Sequence, residues 1–268
     1  MYRVELAKAF HRWRTWLLAA AIAGIPAVIV LAIKLSPPEP QGAQDAPPFL
    51  FQIATSGLYA ALTGLAVVQP FFLPLATGLF AGDAVAGEAQ AGTLRYLLLR
   101  PVRRTRLVLA KYASAMTLLG FLVLATVVSG LISGAVGFGL HPLPTLSGTT
   151  LSVGAALLRV GVAGAYMVAV MSGIACIGLF ISTRTDSGPG AAVATIVIAI
   201  ASQILGQIPS LDAIHPYLPT DGWLAFIGLF RFPIDRAGME HGLFVSLAYT
   251  VVFLSLAVSG FRRRDITA

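Results

Sequence analysis

Six apolar runs of membrane-spanning length, separated by short polar stretches, set the organisation of the chain. They cover roughly residues 16–34, 57–81, 112–136, 158–181, 189–207 and 242–260, and a helix crossing a ~30 Å hydrocarbon core needs about 20 apolar residues. The second run is unusually long, because apolar character begins near Phe49. At ~1.5 Å per residue that stretch overshoots the core, which predicts an interfacial helix or a strong tilt in part of it. Pro70 and Pro74 remove backbone donors inside the run and predict a kink. Ahead of the first span, residues 2–15 mix Arg3, Lys8, Arg12 and Arg14 with Val4, Leu6, Phe10 and Trp13, which predicts an amphipathic helix on a leaflet of anionic lipid.

Two further segments carry their own texture. Residues 36–48, SPPEPQGAQDAPP, are Pro-rich and predict an extended connection. Residues 208–241 are rich in aromatics, and their WLAFIGLF run is too short to cross, so it predicts a segment at the interface or re-entering it. No repeat and no separate soluble domain is visible, which makes residues 1–268 one membrane domain. The start resembles a signal peptide, yet its apolar core from Trp16 to Ile33 exceeds the ~7–15 residues of a signal core and no cleavage-type site follows. An uncleaved first span is expected.

Composition excludes a water-soluble fold. Hydrophobic residues make up 57% and charged residues 11%, with a mean hydropathy of +0.85, whereas soluble domains carry about 25% charge. The net charge of +7 does not point to nucleic acid, because the basic residues sit in short blocks between apolar spans. Fourteen of the eighteen Lys and Arg residues fall on one side if the amino end lies inside. Both termini are therefore expected in the cytoplasm. One cysteine, Cys176, allows neither an internal disulfide nor a Cys-based metal site.

The stretch 82–111, GDAVAGEAQAGTLRYLLLRPVRRTRLVLAK, interrupts this greasy pattern. Asp83 and Glu88 directly follow the second span, where a carboxylate must reach water or a partner. Gly92 breaks the chain, and Thr93 can cap a following helix. Leu94, Leu97 and Leu98 share one helical face while Arg95 and Arg100 project elsewhere, and Pro101 ends the turn. Arg103, Arg104 and Arg106 then precede the third span, with Thr105 as its expected cap. The order predicts a short helix with a greasy face lying near the membrane.

The series Glu88, Gly92, Thr93, Leu94, Leu97, Leu98, Pro101, Arg103, closing at Lys111 before a span, resembles ABC-2-type transporter permeases. The basic amphipathic start, the six spans, the aromatic loop before the last span and the terminal FRRRD extend the resemblance across the chain. It implies an all-α polytopic membrane fold of the type V exporter-like kind, with six transmembrane helices and a cytoplasmic coupling helix. Carried over residue by residue, Asp83, Glu88, Gly92, Thr93, Leu94, Leu97, Leu98, Pro101 and Arg103 would dock an ATPase. Arg184 and Asp186, in the second inner loop with Thr183 and Thr185, would make a smaller contact. The resemblance further implies two ABC ATPase subunits, a second permease subunit, identical or homologous, and a place in the bacterial inner membrane.

The chain's own chemistry fits an external energy source. It has no G-x4-G-K-[ST] phosphate loop, so ATP and magnesium are expected on the partner, with no cofactor bound by this chain and no catalysis by it. The mid-membrane segments lack Asp, Glu and His, which counts against the alternative of an ATP-independent secondary transporter. An intramembrane enzyme would need a nucleophile–base or metal constellation, and the sequence offers none. Gln69, Thr77, Thr126, Ser129 and Gln203 are candidates for lining a pathway, alongside Thr117, Ser133 and Gln207, although such residues also pack helices. Asp212, His215, Asp221 and His241 lack metal-ligand spacing, so no metal is expected.

Overall fold

The computed structural model describes residues 1–36, 49–93 and 103–263. Nine α-helices are described: α1 (Tyr2–Phe10), α2 (Trp13–Leu35), α3 (Leu58–Val68), α4 (Phe72–Thr77), α5 (Asp83–Gln90), α6 (Arg104–Phe138), α7 (Val153–Arg184), α8 (Gly188–Leu205) and α9 (Ala237–Arg263). The strands Leu143–Pro144 and Thr150–Leu151 form a small antiparallel pair in the loop between α6 and α7. Five helices (α2, α6, α7, α8 and α9) are long and apolar enough to cross a membrane. The pair Leu58–Val68 and Phe72–Gln90, bent by 60° at its break, passes the same test together, giving up to six spans.

α3 is apolar on every side, and it is buried on nearly every side, so it forms the centre of the bundle. Helices in lipid gain little from burying grease, so they associate through close backbone approach at small residues. α3 and α6 show this directly. A Cβ added at Gly130 would stand 2.5 Å from Ala61 Cα, and one at Gly134 only 2.0 Å from the Gly57 carbonyl oxygen. On the other flank of α3, Gly64 receives the ring of Pro26 from α2.

The second span breaks where Pro70 withholds an N–H, between Val68 and Phe72. Pro74 causes no second break. It sits in the first turn of α4, where the N–H would have no helical partner anyway. Lower down, a π-type turn at Gly78–Gly82 leads into α5, and Ser182 Oγ of α7 accepts hydrogen bonds from Val85 N and Ala86 N, both at 2.9 Å. There the broken span packs against α7 and α8, with Gly82 pressed on Ala192.

Three expectations need correction. Residues 49–56 form no interfacial α-helix; Phe49 is left-handed, Leu50–Gln52 form a 3-10 turn, and Ile53 and Ser56 are buried. The excess length is folded inward, with Ser56 Oγ bonding to His141 O at 2.9 Å. Second, the third span starts at Arg104, so Thr105 lies inside its first turn and Arg103 takes the cap position without a side-chain cap. A helix from Arg104 to Phe138 is about 52 Å long at ~1.5 Å per residue, so its basic first turns extend beyond a ~30 Å core into water.

Third, the amino-terminal helix ends at Phe10 rather than running to 15. No glycine or proline marks that stop. Instead three side chains take up the last carbonyls of α1: His11 Nδ1 reaches Ala7 O, Thr15 Oγ1 reaches Ala9 O and Trp16 Nε1 reaches Phe10 O, each at 2.7 Å. Phe10, Trp16 and Phe121 of α6 form an aromatic cluster with centroids 5.2–6.0 Å apart. The result is a fixed elbow between α1 and α2.

At the opposite end of the bundle, residues 209–230 form three 3-10 turns that do not cross it. Trp223, Phe226 and Phe230 are buried. Tyr166 and Tyr249 donate to the Gly222 and Tyr217 carbonyls at 2.6 and 2.9 Å, and Arg159 donates to Leu229 O, so this segment is tied to the helices below.

Candidate functional site at the basic end of the bundle

α1, the end of α5, the start of α6, the α7–α8 turn and the end of α9 gather at one end of the bundle, and the described residues of the docking stretch lie there. α5 closes with Gly92 at φ +66°, where Gly92 N bonds to Ala89 O and Thr93 N to Glu88 O, both at 3.0 Å. This is a Schellman arrangement, and it needs the left-handed residue that glycine supplies most readily. Thr93 Oγ1 adds a 3.2 Å bond to the same Glu88 carbonyl, so within the described residues it closes α5. Leu94, Leu97, Leu98 and Pro101 lie outside the described residues.

Glu88 is the centre of the site. Its side chain is 7% exposed, and Lys8 Nζ donates to Oε1 at 2.9 Å while Lys111 Nζ stands 2.8 Å from Oε2. Lys111, 2% exposed, also bonds to Glu5 Oε2 at 3.1 Å. Two lysines and two glutamates from α1, α5 and α6 therefore form one ionic cluster. Burial of so many charges is tolerable only because each carboxylate faces an ammonium. A looser pair extends it, with Arg12 Nη1 3.7 Å from Asp83 Oδ2. A cavity of about 730 Å³ opens beside the cluster, between the elbow, α5 and the start of α8.

The remaining docking candidates are spread around this centre. Arg103 is exposed at the head of α6. Its neighbour Arg104 bonds through Nη1 to the Phe261 and Arg262 carbonyls at 3.2 and 3.1 Å, capping the end of α9. Arg184 lies over the Phe180 ring, 5.4 Å from its centroid, and Asp186 is exposed in the α7–α8 turn. That turn meets α5 through Gly188 N, which donates to Gln90 Oε1 at 3.0 Å. So the two inner segments touch.

Sequence reasoning left Glu5 and Lys8 out of the docking set and used Lys111 only as an end marker. Lys8 and Glu5 reach partners 80 and 106 positions away, and no local pattern announces such a pairing. One weak signal existed: Lys111 is a lone cation inside an otherwise apolar stretch of α6, which calls for a counter-charge.

The pathway candidates do not gather into one lining. Thr77 and Thr126 are buried and donate to the carbonyls four residues back, at 2.8 and 2.9 Å. Ser129 donates across to Ala23 O of α2. Gln203 Nε2 donates to Pro70 O at 2.7 Å, beside the break of the second span. Gln69 lies at that break, 1% exposed, and neither atom of its amide has a hydrogen-bond partner among the described residues. Both glutamines line a second cavity of about 270 Å³ at the end opposite the ionic cluster. A hydroxyl cluster that sequence reasoning missed joins α7 to α9, with Ser172 3.1 Å from Ser246 and 2.9 Å from Thr250. The spacing of Ser246 and Thr250, one turn apart on one face, is the signal that could have found it.

The four outer polar residues form two separate pairs, His215 with Asp212 at 3.4 Å and His241 with Asp221 at 3.3 Å. Among the described residues no three His, Cys, Asp or Glu side chains are grouped to hold a metal ion.

No curated protein matches the chain. The family described as ABC-2 family transporter protein matches residues 2–202, from the first residue of α1 to the upper part of α8. That match takes in the elbow, the broken second span, the ionic cluster and the docking stretch. This chain, a multi-pass membrane protein, belongs to the ABC-2 family of transporter permeases, which work with an ABC ATPase.

Proposed function

We propose that this chain is the membrane subunit of an ATP-driven exporter for a hydrophobic or amphipathic substrate, with six spans and both termini in the cytoplasm of a bacterial cell. The chain hydrolyses nothing; ATP and magnesium bind two ATPase subunits, which dock on the inner loops of a pair of permease subunits. The observation that carries this reading is the position of Glu88. It belongs to the series Glu88, Gly92, Thr93, Leu94, Leu97, Leu98 and Pro101 that the family resemblance assigns to the coupling element, and it is bound to α6 through Lys111 and to α1 through Lys8. A push on that segment would reach three elements of the bundle at once.

The test is co-expression with the ABC ATPase that co-purifies with the chain, followed by reconstitution in proteoliposomes. Leu97→Ala combined with Leu98→Ala should leave the permease folded while ATPase binding weakens and hydrolysis no longer depends on the permease. Wild-type ATPase binding and wild-type permease-dependent hydrolysis in that variant would overturn the reading.

A further inference from the structure

We infer that the cleft beside the elbow is a binding site for the headgroup of an acidic phospholipid, with an acyl chain running along its apolar wall. The inference does not depend on ATP coupling. The cleft, about 730 Å³, falls within the ~300–1,000 Å³ of small-molecule sites and has two unlike faces. Its mouth is basic: Lys8 and Arg12 are 44% and 53% exposed, and Arg14 is exposed and has no salt bridge among the described residues. Its wall is apolar, formed by Leu18 of α2, Leu79 and Phe80 of the π-type turn, and Leu118 of α6.

The acids in the lining do not cancel the basic mouth. Glu5 and Glu88 are answered by Lys111, itself only 2% exposed, and by Lys8, so the four charges of the ionic cluster balance and Arg14 is the surplus cation. Asp83 is answered by Arg12 at 3.7 Å, a separation long enough for an incoming anion to share the guanidinium. With all seven charged groups ionised, Lys8, Arg12, Arg14 and Lys111 outnumber Glu5, Asp83 and Glu88 by one. What faces the opening is cationic.

The height of the cleft identifies the occupant. Trp13 lines it and is 68% exposed; Trp16, one turn on, is 54% exposed, although its indole N–H is already bonded to Phe10 O. Exposed tryptophans at a span's end sit at the level of lipid headgroups. The anion present there at high local concentration, and joined to an apolar chain that the Leu79–Phe80 wall can receive, is a phospholipid phosphate. A free phosphate shares the headgroup chemistry and lacks the chain.

Native mass spectrometry of the purified chain in detergent tests this with three probes: phosphatidylglycerol, phosphatidylcholine and glycerol phosphate. One phosphatidylglycerol per chain should be retained about tenfold more strongly than phosphatidylcholine. Arg14→Gln should abolish most of that preference. Arg3→Gln, which removes an exposed charge of α1 outside the cleft, should preserve it. Leu79→Trp, which fills the wall, should weaken retention of both phospholipids. Equal loss in Arg14→Gln and Arg3→Gln would reduce the effect to general surface charge and overturn the site. So would equal retention of the two phospholipids, and so would glycerol phosphate displacing phosphatidylglycerol at equal concentration, which would make it a site for soluble phosphate.

Discussion

Lys111 Nζ lies 2.8 Å from Glu88 Oε2, with the two side chains 2% and 7% exposed. Each offsets part of the cost of burying the other, beside the bonds of Lys111 to Glu5 and of Glu88 to Lys8. Removing one partner of a buried pair leaves an uncompensated charge and costs about 3–5 kcal/mol, whereas removing both in favour of apolar groups costs far less. Glu88→Gln and Lys111→Met should each destabilise strongly, Glu88→Gln the less because Lys111 keeps Glu5 and the freed Lys8 is half exposed. The double variant should be more stable than the sum of the two losses predicts. Unfolding in detergent micelles, run as a double-mutant cycle, measures this, and strict additivity would show that the pair is not coupled.

Gly134 is the tightest point of the α3–α6 contact, with a hypothetical Cβ 2.0 Å from Gly57 O. Gly134→Ala should lower stability by about 1–3 kcal/mol, since backbone on both sides must separate. Gly120 and Gly161 are helical glycines whose added Cβ would meet nothing within 4 Å. Alanine there should be neutral or stabilising by up to ~1 kcal/mol. The contrast within one set of thermal unfolding curves is the check.

Ser182 Oγ accepts from both Val85 N and Ala86 N at the turn into α5. Ser182→Ala strands two buried donors, each costing about 1–3 kcal/mol. The loss should be local, so hydrogen exchange at Val85 and Ala86 should accelerate more than exchange in α3. Uniform acceleration across the bundle would contradict it.

How much of this could be read from the sequence follows from the range of the interactions. The spans, the break at Pro70 and the gathering of positive charge at one end are written in local hydropathy and in single residues, and the described helices follow them. The elbow at residue 10 was missed because its carbonyls are capped by side chains of His11, Thr15 and Trp16, none of which is a usual helix stop. The folded-in 49–56 stretch was missed because an apolar run does not say whether it meets lipid or protein. Glu88 was read correctly as needing water or a partner. Its partners come from α1 and α6, which only the folded chain brings beside it.

Gln69 holds a buried amide with no hydrogen-bond partner among the described residues, at the break of the second span. Such a group costs about 1–3 kcal/mol in desolvation. Gln69→Leu, similar in size and fully apolar, should raise the unfolding temperature. A lowered temperature would show that the amide is bonded in the native protein.

The 60° bend assigns the two halves of one span to different neighbours: α3 is wedged between α2 and α6, while Phe72–Gln90 lies along α7 and α8. At ~1.5 Å per residue, the lower half is a rod about 28 Å long whose fulcrum is the three residues from Gln69 to Phe71. A swing of only ~10° about that fulcrum would carry Gln90 through about 5 Å, close to one full turn of helix. The glycine seam that holds α3 against α6 would keep the upper half still meanwhile. One proline would thus give the basic end of this span a long stroke for a small rotation at the bundle's opposite end.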